Sequence, residues 1–155
     1  MSKVHREARI YFTVGLLFFL DQALKWLASA GTSNTFDIIP NVIKFKIFLN
    51  DGLIFSVPVP NIFIVIFSIL ILALLLFLII RSDRADNEPA VWHYSLIFAG
   101  GLSNIVDRLY QGATIDYLNI VPFNFPVFNM ADVMVAVGLI LLVFSWARKN
   151  RQPTG

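Results

Sequence analysis

Residues 61–80 read NIFIVIFSILILALLLFLII, a stretch with no charge, no Gly and no Pro. Its length matches the ~20 apolar residues that cross a hydrocarbon core about 30 Å thick. Inside that core no water is available to bond the backbone, so a continuous helix is the conformation that satisfies its own N–H and C=O groups. The segment is predicted to be a transmembrane helix that faces lipid on most sides. Composition points the same way. Of 155 residues, 57% are hydrophobic and only 14% charged, and mean hydropathy is +0.74, outside the soluble globular range.

Working outward, three further stretches approach spanning length, roughly 9–28, 92–110 and 127–146. The expectation is an all-α membrane fold with a small extracytoplasmic β element. It forms a single membrane domain over 1–155, with helices near 9–28, 61–80, 92–110 and 127–146 and outer-face loops 29–60 and 111–126. The first, third and fourth stretches carry ionisable side chains, which are costly at membrane depth and mark a function or a buried partner. The basic start, the apolar run from Ile10 to Leu20 and Ala28-Ser29-Ala30 also resemble a cleavable signal peptide. Asp21, Gln22, Lys25 and Trp26 make a poor cleavage region, however, and cleavage would leave three spans. The stretch is therefore read as the first span.

Positive charge sets the expected orientation. Lys3, Arg6 and Arg9, then Arg81 and Arg84, then Arg148, Lys149 and Arg151 fall on one side of a bundle with an even number of helices, which places both termini in the cytoplasm. The two longer loops and the carboxylates beside them then lie outside, so extracytoplasmic chemistry is expected. Only 12 Lys and Arg are present, and they flank apolar runs instead of forming a patch, which argues against nucleic acid. With no cysteine, disulfides, thiolate chemistry and cysteine-ligated zinc are excluded. In the first outer loop the alternation from Val42 to Lys46 predicts a short strand. Asp51-Gly52 is a turn signal, and Pro58 and Pro60 end the strand before Asn61. No internal repeat of the transporter kind is visible.

Helix three ends in Ser103-Asn104-Ile105-Val106-Asp107-Arg108 and helix four begins Phe128-Asn129-Met130-Ala131-Asp132. Each holds Asn-x-x-Asp, and i and i+3 share one helix face, so each presents an amide beside a carboxylate. Asp116, in the short connection between them, stays within reach of both outer helix ends. Two close carboxylates suit amide hydrolysis, because repulsion raises one pKa until the pair holds a single proton near neutrality. One then serves as base toward water while the other donates to the carbonyl oxygen. The Asn amides and Arg108 are expected to orient and polarise them. A bland reading stands beside this one: Asp107 pairs with Arg108 or a distant Lys, and the amides merely bond between helices.

Asp21 and Lys25 form an i,i+4 pair in the favourable order, which as an interfacial ion pair beside Trp26 would simply anchor the helix. Asn50-Asp51-Gly52 is a turn first and a binding element second. His5 and His93 fall on the predicted cytoplasmic side, so an outer-face zinc site or Ser-His triad lacks its parts. No spacing supports a Ser-Lys pair of Ser56 with Lys44 or Lys46. A carboxylate-only Mg²⁺ site stays open on the residues alone, although such sites usually need phosphate-bearing substrates to complete the shell.

Taken in order, Asp21-Gln22-x-x-Lys25, Asn50-x-Gly52-x-x-Phe55-Ser56, Gly100 to Arg108, Ile115-Asp116-Tyr117 and Phe128-Asn129-x-Ala131-Asp132 resemble the lipoprotein signal peptidase family along nearly the whole chain. The resemblance implies four transmembrane helices, a small outer sheet cradle and a short outer helix between helices three and four. It implies Asp116 and Asp132 as the catalytic dyad, a choice composition could not make over Asp107. Asn104, Asp107, Arg108 and Asn129 would hold the dyad, with Ala131 in the same motif. Asp21, Lys25, Asn50 and Gly52 would shape the site or meet substrate. The implied substrate is a prolipoprotein whose cysteine carries a diacylglyceryl group, cut on the amino side of that cysteine. The implied setting is the bacterial inner membrane, with lipid around a monomer, no metal or organic cofactor, and globomycin as inhibitor. Three positions depart from the family pattern: Ser103 where Gly is common, Ile54 where a small residue is common, and Tyr117 where Phe is more usual.

One rival reading is a small proton- or ion-coupled carrier with Asp21, Asp107 and Asp132 as a relay. A relay needs polar groups from surface to surface, whereas Val137 to Phe144 is apolar. A purely structural subunit would leave the paired Asn-x-x-Asp motifs without a reason.

Overall fold

A computed structural model of the chain describes residues 3–30, 35–52, 59–123 and 125–150. Four long helices, α1 (Lys3–Ala30), α2 (Asn61–Arg84), α3 (Glu88–Gln111) and α4 (Met130–Asn150), accompany a small sheet of β1 (Phe36–Ile39), β2 (Ile43–Asn50) and β3 (Thr114–Ile120). α1, α2 and the segment Met130–Lys149 are long and apolar enough to cross a membrane.

Local sequence explains the helix limits. α2 starts directly after Pro60, which caps it, and closes with Arg81 and Arg84 in its last turn, where cations favour the negative end of the helix dipole. The side chain of Asn87 accepts the Ala90 N–H to cap α3, and Gly112 ends that helix in the left-handed conformation (φ 76°), which glycine adopts without a Cβ penalty. α1, α2 and α3 run past the apolar cores read from sequence because their ends are polar, whereas α4 begins at Met130 instead of 127, because Asn129 caps it. At the ends remote from the sheet, Arg6 and Lys3 meet Asp86 (3.0 and 3.3 Å) and Arg9 meets Glu88 (3.0 Å), tying the start of α1 to the α2–α3 turn.

α3 packs against each of the other three helices. It comes so close to α4 that a Cβ on Gly100 would collide with the Ala131 carbonyl, and one on Gly138 with the Ile97 side chain. α2 turns Phe63, Ile66, Phe67, Leu70 and Leu74 outward and exposed, as expected of a helix bathed in lipid.

The sheet is antiparallel in the order β1-β2-β3, with Phe45 opposite Leu118 and Asn50 opposite Thr114. β2 extends the strand expected at Val42 to Lys46 through to Asn50. Ala28 of α1 packs with Ile115 and Tyr117, and Phe45 closes over them, which seats the sheet on the end of α1. A 3-10 turn at Val121–Phe123 is the helical element described between α3 and α4. Ile54, Phe55 and Ser56 lie outside the described residues.

Candidate active site

Asp116 sits in β3. Strand alternation sends Ile115 and Tyr117 into the cluster around Ala28 and turns Asp116 to the opposite face. There its Oδ2 accepts from the Asn50 amide of β2 (3.1 Å) and its Oδ1 from the Asn129 amide (2.8 Å). Asp132 comes from the first turn of α4. Asn129 caps that helix, taking the Asp132 N–H on its Oδ1 (2.9 Å), while Asp132 Oδ2 accepts the Asn129 N–H (3.0 Å). This is the reciprocal geometry of a capping box. In α4 the Asn-x-x-Asp motif is therefore a helix start, and not two side chains on one helical face.

A single buried side chain, Asn129, thus bonds to Asp116 and to the backbone of Asp132. Asn104 adds a third link, donating to Asp132 Oδ1 (2.9 Å) and accepting from Asn129 (3.1 Å) and from Lys25 (2.9 Å). Burial, and then the nearby charge of Asp132, push the Asp116 pKa up to about 7, against the pull of the Asn50 and Asn129 amides and of Lys25. A carboxyl poised near neutrality is what proton exchange at physiological pH needs.

Behind Asn104 lies an ionic network. Lys25 Nζ stands 2.8 Å from both Asp21 Oδ2 and Asp107 Oδ2. Asp21, Lys25 and Asp107 are 0%, 1% and 3% exposed, so the Asp21–Lys25 pair is a core element and not an interfacial anchor. Asp107 binds Lys25, Gln22 and the Ile115 N–H. The two halves of the α3 motif consequently share Lys25, and Asn104 reaches Asp132 as well. A cavity of about 210 Å³ opens between α1 and α3 over Gln22, Lys25 and Tyr110, and neither Asp116 nor Asp132 lines it.

Among the described residues Arg108 hydrogen-bonds to no carboxylate. Its guanidinium donates to the carbonyls of Gly52 and Asp51 and to Asn61 Oδ1 (3.1 Å), joining the end of β2 to the start of α2. Gly52 returns its N–H to Asn50 Oδ1 (3.2 Å), the side-chain-mimicked turn that Asn favours. Ala131 is fully buried and gives its N–H to Asp21 Oδ1 (3.2 Å). Sequence reasoning gave no role to the hydroxyls of Ser103 and Tyr117, which both reach Asp21. The available signal was polarity at two otherwise apolar positions. Among the described residues no three His, Asp or Glu side chains converge as a metal site requires.

An apolar helix bundle that gathers buried, amide-bonded carboxylates at one end fits the class of membrane-bound enzymes, and the chain compares with members of it. Residues 13–148 match the family model described as Signal peptidase (SPase) II, and the chain belongs to this family of lipoprotein signal peptidases. It is 32% identical to the lipoprotein signal peptidase of Microcystis aeruginosa over 99% of this chain and 100% of that one. With the Staphylococcus haemolyticus lipoprotein signal peptidase it shares 27% identity over 90% and 94% of the two chains. Among solved structures, a bacterial membrane enzyme determined by the in meso method at 2.3 Å resolution superposes with a TM-score of 0.85. That alignment has 24% identity and covers 96% of this chain and 94% of the other, a likeness of fold.

Proposed function

We propose that the chain is an aspartic endopeptidase that cuts diacylglyceryl-modified prolipoproteins on the amino side of the lipidated cysteine, with Asp116 and Asp132 as its dyad. The observation that carries this reading is the Asn129 bridge, which bonds Asp116 and caps the turn that bears Asp132. One carboxylate takes a proton from water as its oxygen bonds to the scissile carbonyl carbon, and the other gives its proton to the carbonyl oxygen. Collapse of the tetrahedral intermediate breaks the C–N bond and returns a proton to the leaving amine. Asn104, Asn129 and Asn50 orient the acids by direct hydrogen bonds. Asp21, Lys25 and Asp107 support Asn104 from behind, and Arg108 holds Gly52 against α2.

All four helices span the bilayer in this reading. At 24 residues and ~1.5 Å per residue, α3 is long enough, and its Ser103, Asn104 and Asp107 side chains turn inward to the network. The basic ends of the helices put both termini in the cytoplasm and the dyad at the extracytoplasmic face of the bacterial inner membrane. There acyl chains can stay in lipid while the peptide lies along the sheet. The enzyme works as a monomer and without a metal or organic cofactor.

The test is cleavage by purified protein in detergent with EDTA, comparing a diacylglyceryl-modified precursor with the same precursor unlipidated. A new N-terminus at the lipidated cysteine, from the modified precursor alone, is expected. Cleavage elsewhere, equal cleavage of both, or no cleavage in detergent beside solute transport in liposomes would overturn the reading.

A further inference from the structure

Asp21 is fully buried, and each of its two oxygens accepts a hydroxyl hydrogen bond. Ser103 donates to Oδ2 (2.6 Å) and Tyr117 to Oδ1 (3.0 Å). Burial and the adjacent charge of Asp21 raise the Tyr117 pKa, which keeps that hydroxyl a donor. The same Tyr117 oxygen accepts the Met130 N–H (3.1 Å), and Asp21 Oδ1 accepts the Ala131 N–H (3.2 Å).

The first N–H groups of a helix have no intrahelical acceptor. In α4 the N–H groups of the first three helical residues are each matched to a named group: Met130 to Tyr117, Ala131 to Asp21, and Asp132 to Asn129. Two of the three therefore depend on the Tyr117–Asp21–Ser103 cluster, and the turn they hold carries Asp132 at its third position. Tyr117 also neighbours Asp116 in β3. One cluster thus touches the backbone supports of both carboxylates, and a carboxylate at a helix N-terminus is favoured by the helix dipole as well.

We propose that Ser103 and Tyr117 are coupled positioning residues that act through Asp21 to fix the first turn of α4, and with it Asp132, against Asp116. The proposal rests on the dyad reading. A structural role alone would change thermal stability and leave the catalytic step intact. A positioning role lowers kcat at saturating substrate while KM stays put, because the loss falls on the chemical step.

The experiment measures kcat, KM and thermal unfolding for Tyr117→Phe, Ser103→Ala and the double variant, with lipid-modified precursor. Hydrogen bonds to a charged group support roughly a tenfold loss in kcat for each single variant, with KM within about twofold. Since both act through one carboxylate, the double variant should lose about ten- to thirtyfold and fall short of the ~hundredfold product. Unchanged kcat in the folded single variants, or losses that multiply fully, would overturn the proposal. If Tyr117→Phe does not fold, Ser103→Ala decides, since it leaves the Tyr117–Met130 bond in place: unchanged kcat overturns the proposal, a tenfold loss supports it. Asp132→Asn in the same assay separates the two readings. Its full activity would sink the dyad, whereas its inactivity beside an unaffected Tyr117→Phe would sink only the coupled pair.

Discussion

Lys25→Met removes an ammonium while keeping most of its aliphatic volume. In the native chain that ammonium lies 2.8 Å from each of two carboxylates, Asp21 and Asp107, and 2.9 Å from Asn104 Oδ1. Met leaves the two acids buried at 0% and 3% exposure with like charge and no cation. Breaking a buried ion pair by deleting one partner costs about 3–5 kcal/mol, mostly from the stranded charge. For a chain of this size each kcal/mol moves the unfolding midpoint by about 2–4 °C, so a fall of roughly 6–20 °C is expected. Intrinsic fluorescence during a thermal ramp in detergent reads it directly. Asp86→Asn, in the exposed clip at the other end of the molecule, serves as the contrast and should leave the midpoint where it was, because solvent screens that pair. Adding Asp107→Asn to Lys25→Met should restore part of the loss by replacing a stranded charge with an amide. A midpoint within about 2 °C of wild type for Lys25→Met would refute the claim that one cation holds this network together.

Other predictions follow from single contacts. Gly100→Ala places a methyl against the Ala131 carbonyl and 2.9 Å from Val135 Cγ2, so α4 must shift at the turn bearing Asp132; misplacement of about 1 Å costs on the order of 100-fold in rate, measured as kcat. With Asp116 pushed up to about 7, the pair keeps its one proton below that pH and loses it above, so cleavage should decline as pH rises through about 7. The Asn50 amide favours the ionised form of Asp116, hence Asn50→Leu should move that decline to higher pH in the rate profile, and a move to lower pH would contradict the assignment. Arg108→Lys cannot reach the Gly52 carbonyl and Asn61 together, because one ammonium replaces a planar fork; kcat/KM should fall about tenfold while the protein stays folded by thermal ramp.

Much of the fold was legible because bilayer physics is written locally. Residues 61–80 need no distant partner to declare a helix, whereas Asn129 and Asp132, read from spacing as one helical face, form the cap that starts α4. The Asn104, Asp107 and Arg108 spacing showed a polar helix edge, but not that Asn104 and Asp107 would be served by the same Lys25. β1 is four residues long, too short for alternation to register. β3 reads as a brief apolar run around one acid, which periodicity alone cannot assign. The Asp21 cluster was least legible of all. Its Tyr117 bond joins residues 96 apart in sequence, and no local pattern reports that α1, β3 and the start of α4 meet at one carboxylate. For the same reason Asp21 and Lys25 read as an anchor at the membrane surface, although both prove buried.

Cleavage of a diacylglyceryl-modified prolipoprotein by Asp116→Asn and Asp132→Asn in EDTA shows whether these two carboxylates react. With both variants folded by thermal ramp, each should lose cleavage while the wild type and Asp86→Asn retain it. Full activity in either dyad variant would contradict the dyad.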